Sequence, residues 1–204
     1  MIRSRPPLGR RGLLLAIAAL AVRPAWGALA PTTAQGRGPY YPEEKPLDHD
    51  NDLTRVAGRT GRAQGATFEL IGRVLRPDGR AIAGAEIEIW QANAFGRYHH
   101  PRDRSGARLD PDFQGVGISR TEADGWYRFR TIVPAPYGRR TRHIHFRVAA
   151  EGTRPLVTQL YFAGEPLNAN DPLLGSIADP AERARLMVAI EPLSGAGRFD
   201  LVLP

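Results

Sequence analysis

Ala85-Glu86-Ile87-Glu88-Ile89-Trp90 decides the fold. Ile87 and Ile89 fall on one side of an extended chain and Glu86 and Glu88 on the other. This period of two reads as a strand with one buried face. The pattern spreads outward in both directions. Upstream, Phe68, Leu70, Gly72 and Val74 alternate with more polar neighbours, apart from Ile71, and Pro77-Asp78-Gly79 supplies a turn. Downstream, Asp124-Gly125 is a hairpin turn before a strand from Trp126 to Ile132. His143 to Val148 and Val157 to Phe162 read as further strands, and Phe199, Leu201 and Leu203 as a last one. One helix is expected. Asp179 caps it, Pro180 suits its first position, Glu182 completes a capping-box pattern, and it runs to about Ala189. Many short strands with one short late helix predict an all-β fold, a β-sandwich of mixed and antiparallel strands.

The 204 residues hold one such domain and little else. There is no cysteine, which excludes disulfide scaffolds, thiolate metal sites and cysteine nucleophiles. The net charge of +7 invites a nucleic-acid reading. Five of those charges, Arg3, Arg5, Arg10, Arg11 and Arg23, lie in residues 1–30, which hold no acid. The body of the chain is nearly neutral, so no nucleic-acid partner is expected. Arg10-Arg11 precede an apolar stretch from Leu13 to Val22, and Ala28-Leu29-Ala30 suits a cleavage site. Residues 1–30 therefore read as a bacterial export signal of twin-arginine type, implying a periplasmic or extracellular protein. The apolar stretch falls short of the ~20 residues of a membrane span, so no stable membrane insertion is expected after cleavage. Residues 31–64 are rich in Gly, Pro, Thr and charge and read as an extended arm, leaving 65–204 as the sandwich domain.

His143-Ile144-His145 carries the densest chemical signal. Two residues apart in a strand, both imidazoles project from one face while Ile144, Phe146 and Val148 enter the core. Such a face serves equally as a metal platform or as a solvated surface. The other histidines, His49, His99 and His100, all precede it, and Glu151 is the nearest following acid. Tyrosine offers other donors. Tyr98 ends Ala94-Phe95-Gly96-Arg97-Tyr98, and Tyr137 ends Pro134-Ala135-Pro136-Tyr137. Two phenolates with two imidazoles favour a hard trivalent ion, ferric iron above all.

The chain resembles the intradiol ring-cleavage dioxygenases. The resemblance rests on Ile89-Trp90-Gln91-Ala92-Asn93-Ala94, Gly96-Arg97-Tyr98, Asp124-Gly125-Trp126-Tyr127-Arg128-Phe129-Arg130-Thr131-Ile132, Pro136-Tyr137 and His143-Ile144-His145-Phe146. Thr158-Gln159-Leu160-Tyr161-Phe162-Ala163-Gly164-Glu165-Pro166 and Arg198-Phe199-Asp200 continue it over about residues 66–204. The likeness is nearest to the catalytic β subunits of the protocatechuate-cleaving members. It implies a β-sandwich holding one non-haem Fe(III) per chain. Tyr98 would be the equatorial tyrosinate, Tyr137 the axial one, and His143 and His145 the two imidazoles. Arg140 and Gln159 match residues that steady charge on the substrate and the oxygenated intermediate, and Tyr137 would also act as a base. The implied partners are a small aromatic diol and O2, the implied product a cis,cis-muconate-type dicarboxylate, and a homo-oligomer is possible within the family. Gly38-Pro39-Tyr40-Tyr41-Pro42 resembles a Gly-Pro-aromatic stretch near the family's active site, which makes Tyr40 a candidate pocket residue.

The chain departs from the family at one telling place. Only five residues separate Tyr137 from His143, where protocatechuate enzymes carry a longer loop with a tryptophan; Gly138 and Arg139 stand there instead. The resemblance thus carries over the iron ligands better than the substrate pocket. Arg97, Arg139 and Arg142 are possible partners for an acidic substituent. A second class of reading competes: non-catalytic β-sandwich modules of transthyretin or carboxypeptidase-regulatory type share the strand and Asp-Gly hairpin cadence, but have no use for Tyr98, Tyr137, His143, Arg140 and Gln159 together.

Overall fold

A computed structural model describes residues 28–46 and 48–204. All but the last three residues of the expected export signal lie outside this described part. Among the described residues, nine strands form two sheets: β1 (Thr67–Leu75), β2 (Glu86–Trp90), β3 (Val116–Arg120), β4 (Trp126–Ile132), β5 (His143–Ala149), β6 (Leu156–Phe162), β7 (Met187–Val188), β8 (Ala196–Arg198) and β9 (Leu201–Val202). The first sheet runs β4-β1-β8 with β9 also on β1, and the second runs β3-β2-β5-β6-β7. Pairing is antiparallel for β1 with β4, β2 with β3 and β5, and β5 with β6. It is parallel where β8 and β9 join β1 and β7 joins β6. The architecture is the all-β sandwich of mixed strands that the period of two implies.

The core lies between the sheets. Leu70 and Phe129 meet Ile87, Ile89, Ile144, Phe146, Val148 and Leu160, all fully buried. Each such side chain contributes about 1.5–3 kcal/mol on leaving water. Because successive residues alternate, this inner face forces Glu88, Trp90, His143, His145, Gln159 and Tyr161 onto the outer face of the second sheet. Residues 28–46 cover part of that face without forming helix or strand. They are tied to both sheets, through Thr32 N to Val202 O (3.0 Å) and Gln35 N to Val157 O (2.8 Å).

The helical content departs from expectation. The helix capped by Asp179 ends at Arg185, not near Ala189: α2 spans Pro180–Arg185. Leu186 and Val188 bury themselves against the sheet, with Met187–Val188 pairing to Tyr161 and Phe162. That burial outweighs local helix propensity beyond Arg185. Glu182 does not close a capping box; it accepts from Thr33 Oγ1 (3.1 Å). A further helical turn, α1 (Pro172–Gly175), follows a 3-10 turn at Pro166–Asn170. The strand expected from Phe199, Leu201 and Leu203 is short, β9 at Leu201–Val202; β8 lies before it, and β3 adds a strand whose Val-Gly-Ile-Ser-Arg sequence has little alternation.

Candidate metal centre

The outer face of β5 is not solvated. His143 and His145 are each 2% exposed. The β5–β6 register sets Tyr161 opposite His143 and Gln159 opposite His145, and the β2–β5 register sets Trp90 opposite His145. The indole stacks on the His145 ring, 4.8 Å between centroids and 7° between planes. The ideal Cβ position of Gly38 (φ +71°) lies 3.2 Å from His145 Cε1. A side chain there would make the imidazole give by a few tenths of an ångström, and only glycine holds this left-handed backbone readily.

Two loops deliver the tyrosines. Asn93 Oδ1 accepts from Phe95 N and Arg97 N, and Asp103 Oδ2 accepts from Tyr98 N, so the Tyr98 loop is braced from within. Ala135 N donates to Asn93 O (3.1 Å), fastening the Tyr137 loop to it. At Gly96 (φ +80°) a Cβ would stand 2.6 Å from Pro136 O, so the two loops approach this closely only through glycine. The Tyr98 and Tyr137 rings meet edge to face at 5.2 Å. Tyr137 lies 5.4 Å from His143, His143 4.9 Å from His145, and Tyr98 6.3 Å from His145, all between ring centroids. The structure thus brings together all four residues expected to bind metal.

The short loop after Tyr137 is a tight turn closed by Arg140 N to Tyr137 O (2.9 Å). It folds Arg140 back over β6. The guanidinium donates from Nη2 to Gln159 Oε1 (2.6 Å) and from Nε to Asp171 Oδ2 (2.8 Å), with Tyr161 Oη 3.4 Å away. Gln159 Nε2 is buried with no partner among the described residues.

The donors suit a metal. His143 Nδ1 donates to Thr141 O (2.7 Å), which leaves the lone pair on Nε2, 3.4 Å from Tyr98 Oη. His145 Nδ1 is buried with no partner among the described residues. Burial, aided by the Arg140 charge, pushes the pKa of His143 down to about 4. Burial first, then His143 and Arg140, hold His145 well below its ordinary value. Burial thus favours the neutral form of both rings, the form in which a histidine binds metal. Burial raises both phenols, Tyr98 far up with Tyr137 beside it, and a metal cation would offset that by favouring the phenolate. No group of three His, Cys, Asp or Glu able to hold a metal occurs among the described residues. A metal at this place must draw on the phenols, and oxygen-rich, anionic donors fit Fe(III).

Tyr40 lies over the centre, 4.9 Å from the Tyr98 ring and 5.9 Å from Tyr137. His100 packs on Tyr40 at 5.7 Å, beside a cleft of about 490 Å³ lined by Pro42, Glu43, Glu44, His99, His100, Pro101 and Arg102. Of the arginines considered for an acidic substituent, Arg97 is bound to Ala107 O and Arg142 to Glu165, while Arg139 is exposed. Sequence reading gave no separate role to Trp90, Gly38, Tyr161 or Asp171. Alternation with Gln159 places Tyr161 on the site face, and Asn170-Asp171-Pro172 carries a helix-cap signal. Nothing local ties Asp171 to Arg140.

A family model described as Dioxygenase matches residues 37–203, taking in the covering segment from Arg37 onward. The chain is 44% identical over 181 residues to the protocatechuate 3,4-dioxygenase beta chain of Burkholderia cepacia, covering 81% of this chain and 76% of that one. It is 38% identical over 118 residues to catechol 1,2-dioxygenase 1 of Acinetobacter lwoffii, covering 49% of this chain and 37% of that one. Among solved structures it resembles the dioxygenase domain of a dioxygenase–carbohydrate-binding protein fusion from Streptomyces sp. SirexAA-E, with TM-score 0.66 and 34% identity, covering 85% of this chain and 98% of that one.

Proposed function

This chain belongs to the intradiol ring-cleaving dioxygenases, and from that premise we propose that it holds one non-haem ferric ion and cleaves a catechol-type ring with O2 between its two hydroxyl-bearing carbons, giving a cis,cis-muconate-type dicarboxylate. The membership sets aside the non-catalytic binding module. The observation that carries the finer reading is the meeting of Tyr98, Tyr137, His143 and His145 from three separate segments.

These four side chains would hold the ion through Tyr98 Oη, Tyr137 Oη and one ring nitrogen of each histidine. Ferric iron, when bound, would supply the Lewis acidity that draws electron density from a catecholate. Tyr137 Oη would take up one of the protons the diol loses. The Arg140 guanidinium, with Gln159, would favour negative charge on the substrate ring and its oxygens. Tyr40, lying over both phenols, would form one wall of the substrate cavity. Trp90 and the segment around Gly38 would hold His145 in place and keep bulk water from it.

By name, the curated relatives act on protocatechuate and catechol, which supports a small aromatic diol of that class as the substrate. The arm over 31–64, the sandwich domain over 65–204 and export directed by residues 1–30 remain part of the proposal on the sequence grounds given above.

The test is a visible spectrum of the purified protein after iron reconstitution, before and after anaerobic catechol and then protocatechuate. A tyrosinate-to-iron band that moves to longer wavelength with one of them is expected. A protein that stays colourless overturns the iron reading.

A further inference from the structure

Asp171 stands outside the four proposed ligands, yet its carboxylate is fully buried against the site. Its two oxygens serve different masters. Oδ1 accepts from Leu173 N (3.0 Å) and Leu174 N (2.9 Å), capping α1. Oδ2 accepts from Arg140 Nε (2.8 Å) and Thr141 N (2.9 Å).

The geometry points to Asp171 as a positioning residue that aims Arg140 and, through it, sets the amide orientation of Gln159. This rests on the dioxygenase reading of the site. With Nε held by Asp171, the guanidinium plane is fixed and Nη2 falls on Gln159 Oε1 at 2.6 Å. An amide has one acceptor end and one donor end. With Oε1 engaged, Nε2 must face away from Arg140, and it is the end left buried without a partner, on the residue opposite His145. The site therefore meets a bound diol with a free N–H donor and a fixed cation. Turned over, the same amide would present a carbonyl oxygen and repel an anionic oxygen. Without Asp171 the guanidinium loses its only carboxylate partner among the described residues, and nothing else bonds to Nε. A buried cation left without its counter-charge is strongly disfavoured and relaxes toward water.

Asp171→Asn and Asp171→Ser separate this role from helix capping. Serine caps a helix nearly as well as aspartate but is too short and uncharged to hold Arg140. Each variant is loaded with iron and compared with the wild type, with Arg140→Gln and with the Asp171→Asn/Arg140→Gln double variant. Both single Asp171 variants are expected to keep the tyrosinate-to-iron band, to bind the probe 4-nitrocatechol about tenfold more weakly and to lose at least tenfold in kcat. The double variant is expected to stay within twofold of Arg140→Gln, since both substitutions break one unit. Asp171→Ser with kcat and 4-nitrocatechol affinity within twofold of wild type would leave only a capping role and overturn the assignment. So would losses that multiply in the double variant. A wild type that never colours with iron overturns the dioxygenase reading instead, which keeps the two failures apart.

Discussion

The indole of Trp90 lies parallel to the imidazole of His145, 4.8 Å between centroids and 7° between planes, because the β2–β5 register sets the two residues directly opposite each other. Tyr41 meets the other ring system edge-on, 4.9 Å from Trp90, and donates to the buried carboxylate of Glu88 (3.2 Å). Trp90→Ala removes a fully buried ring and should lower stability by about 3–5 kcal/mol. It should also lower iron per chain, because His145 loses the surface that fixes its plane. Trp90→Phe, which keeps a ring in the stack, should retain more iron than Trp90→Ala. Metal analysis beside thermal melting decides it; equal iron content in the two variants would remove the stacking role.

Gly96→Ala tests how the tyrosine loops are joined. The left-handed backbone costs about 1–2 kcal/mol for any residue with a Cβ. The methyl would also press on Pro136 O, 2.6 Å from its ideal position. The expected outcome is a lower unfolding midpoint together with a weaker tyrosinate-to-iron band, since Tyr98 and Tyr137 are driven apart. An undiminished band in a destabilised protein would show that the loops move together.

Tyr40→Ala should act on substrate and spare the metal. The ring packs on both phenols but sits on the arm, outside the proposed ligand set. Losing one aromatic contact of about 0.5–1.5 kcal/mol should raise KM by about two- to tenfold and leave the resting visible spectrum in place. Steady-state kinetics with catechol and with protocatechuate would also reveal whether Tyr40 discriminates between them.

Acid stability should report on Asp171. Burial alone would raise its carboxyl pKa, but the Leu174 amide, the Arg140 guanidinium and the Thr141 amide together hold it below its ordinary value. A carboxyl depressed in the folded state stabilises folding above its unfolded pKa of about 4. That contribution is lost as pH falls through the folded value. The charged and titratable groups around it are Arg140, Tyr161 and His143. Asp171→Asn should therefore be less stable at neutral pH and show a shallower loss of stability below about pH 4. Urea unfolding between pH 3 and pH 7 measures it, and parallel curves for wild type and variant would contradict it.

The histidines and tyrosines were legible because each sits in a local pattern, two at strand spacing and two at the ends of Gly- or Pro-rich runs. Arg140 and Gln159 were legible through resemblance. Asp171 was not, because its cap signal is local while its contact with Arg140 spans 31 residues. The late helix is shorter than expected because Asp179 and Pro180 mark where a helix starts and not where it ends, while Leu186 and Val188, two residues apart, turn one buried face to the sheet.

By itself, the sequence determined β1, β2, β4, β5 and β6, which of their residues share a face, and the donor chemistry: no cysteine, few histidines and well-placed tyrosines. Those follow from backbone periodicity and side-chain type, which are properties of neighbouring residues. Only the tertiary structure decided that the outward face of β5 is dry, that Gly96 lets two loops close on each other, and that Asp171 anchors the guanidinium turned toward Gln159. Those depend on which segments pack over a face. That choice is made by burial and hydrogen bonding among residues far apart in the chain, and no local pattern encodes it.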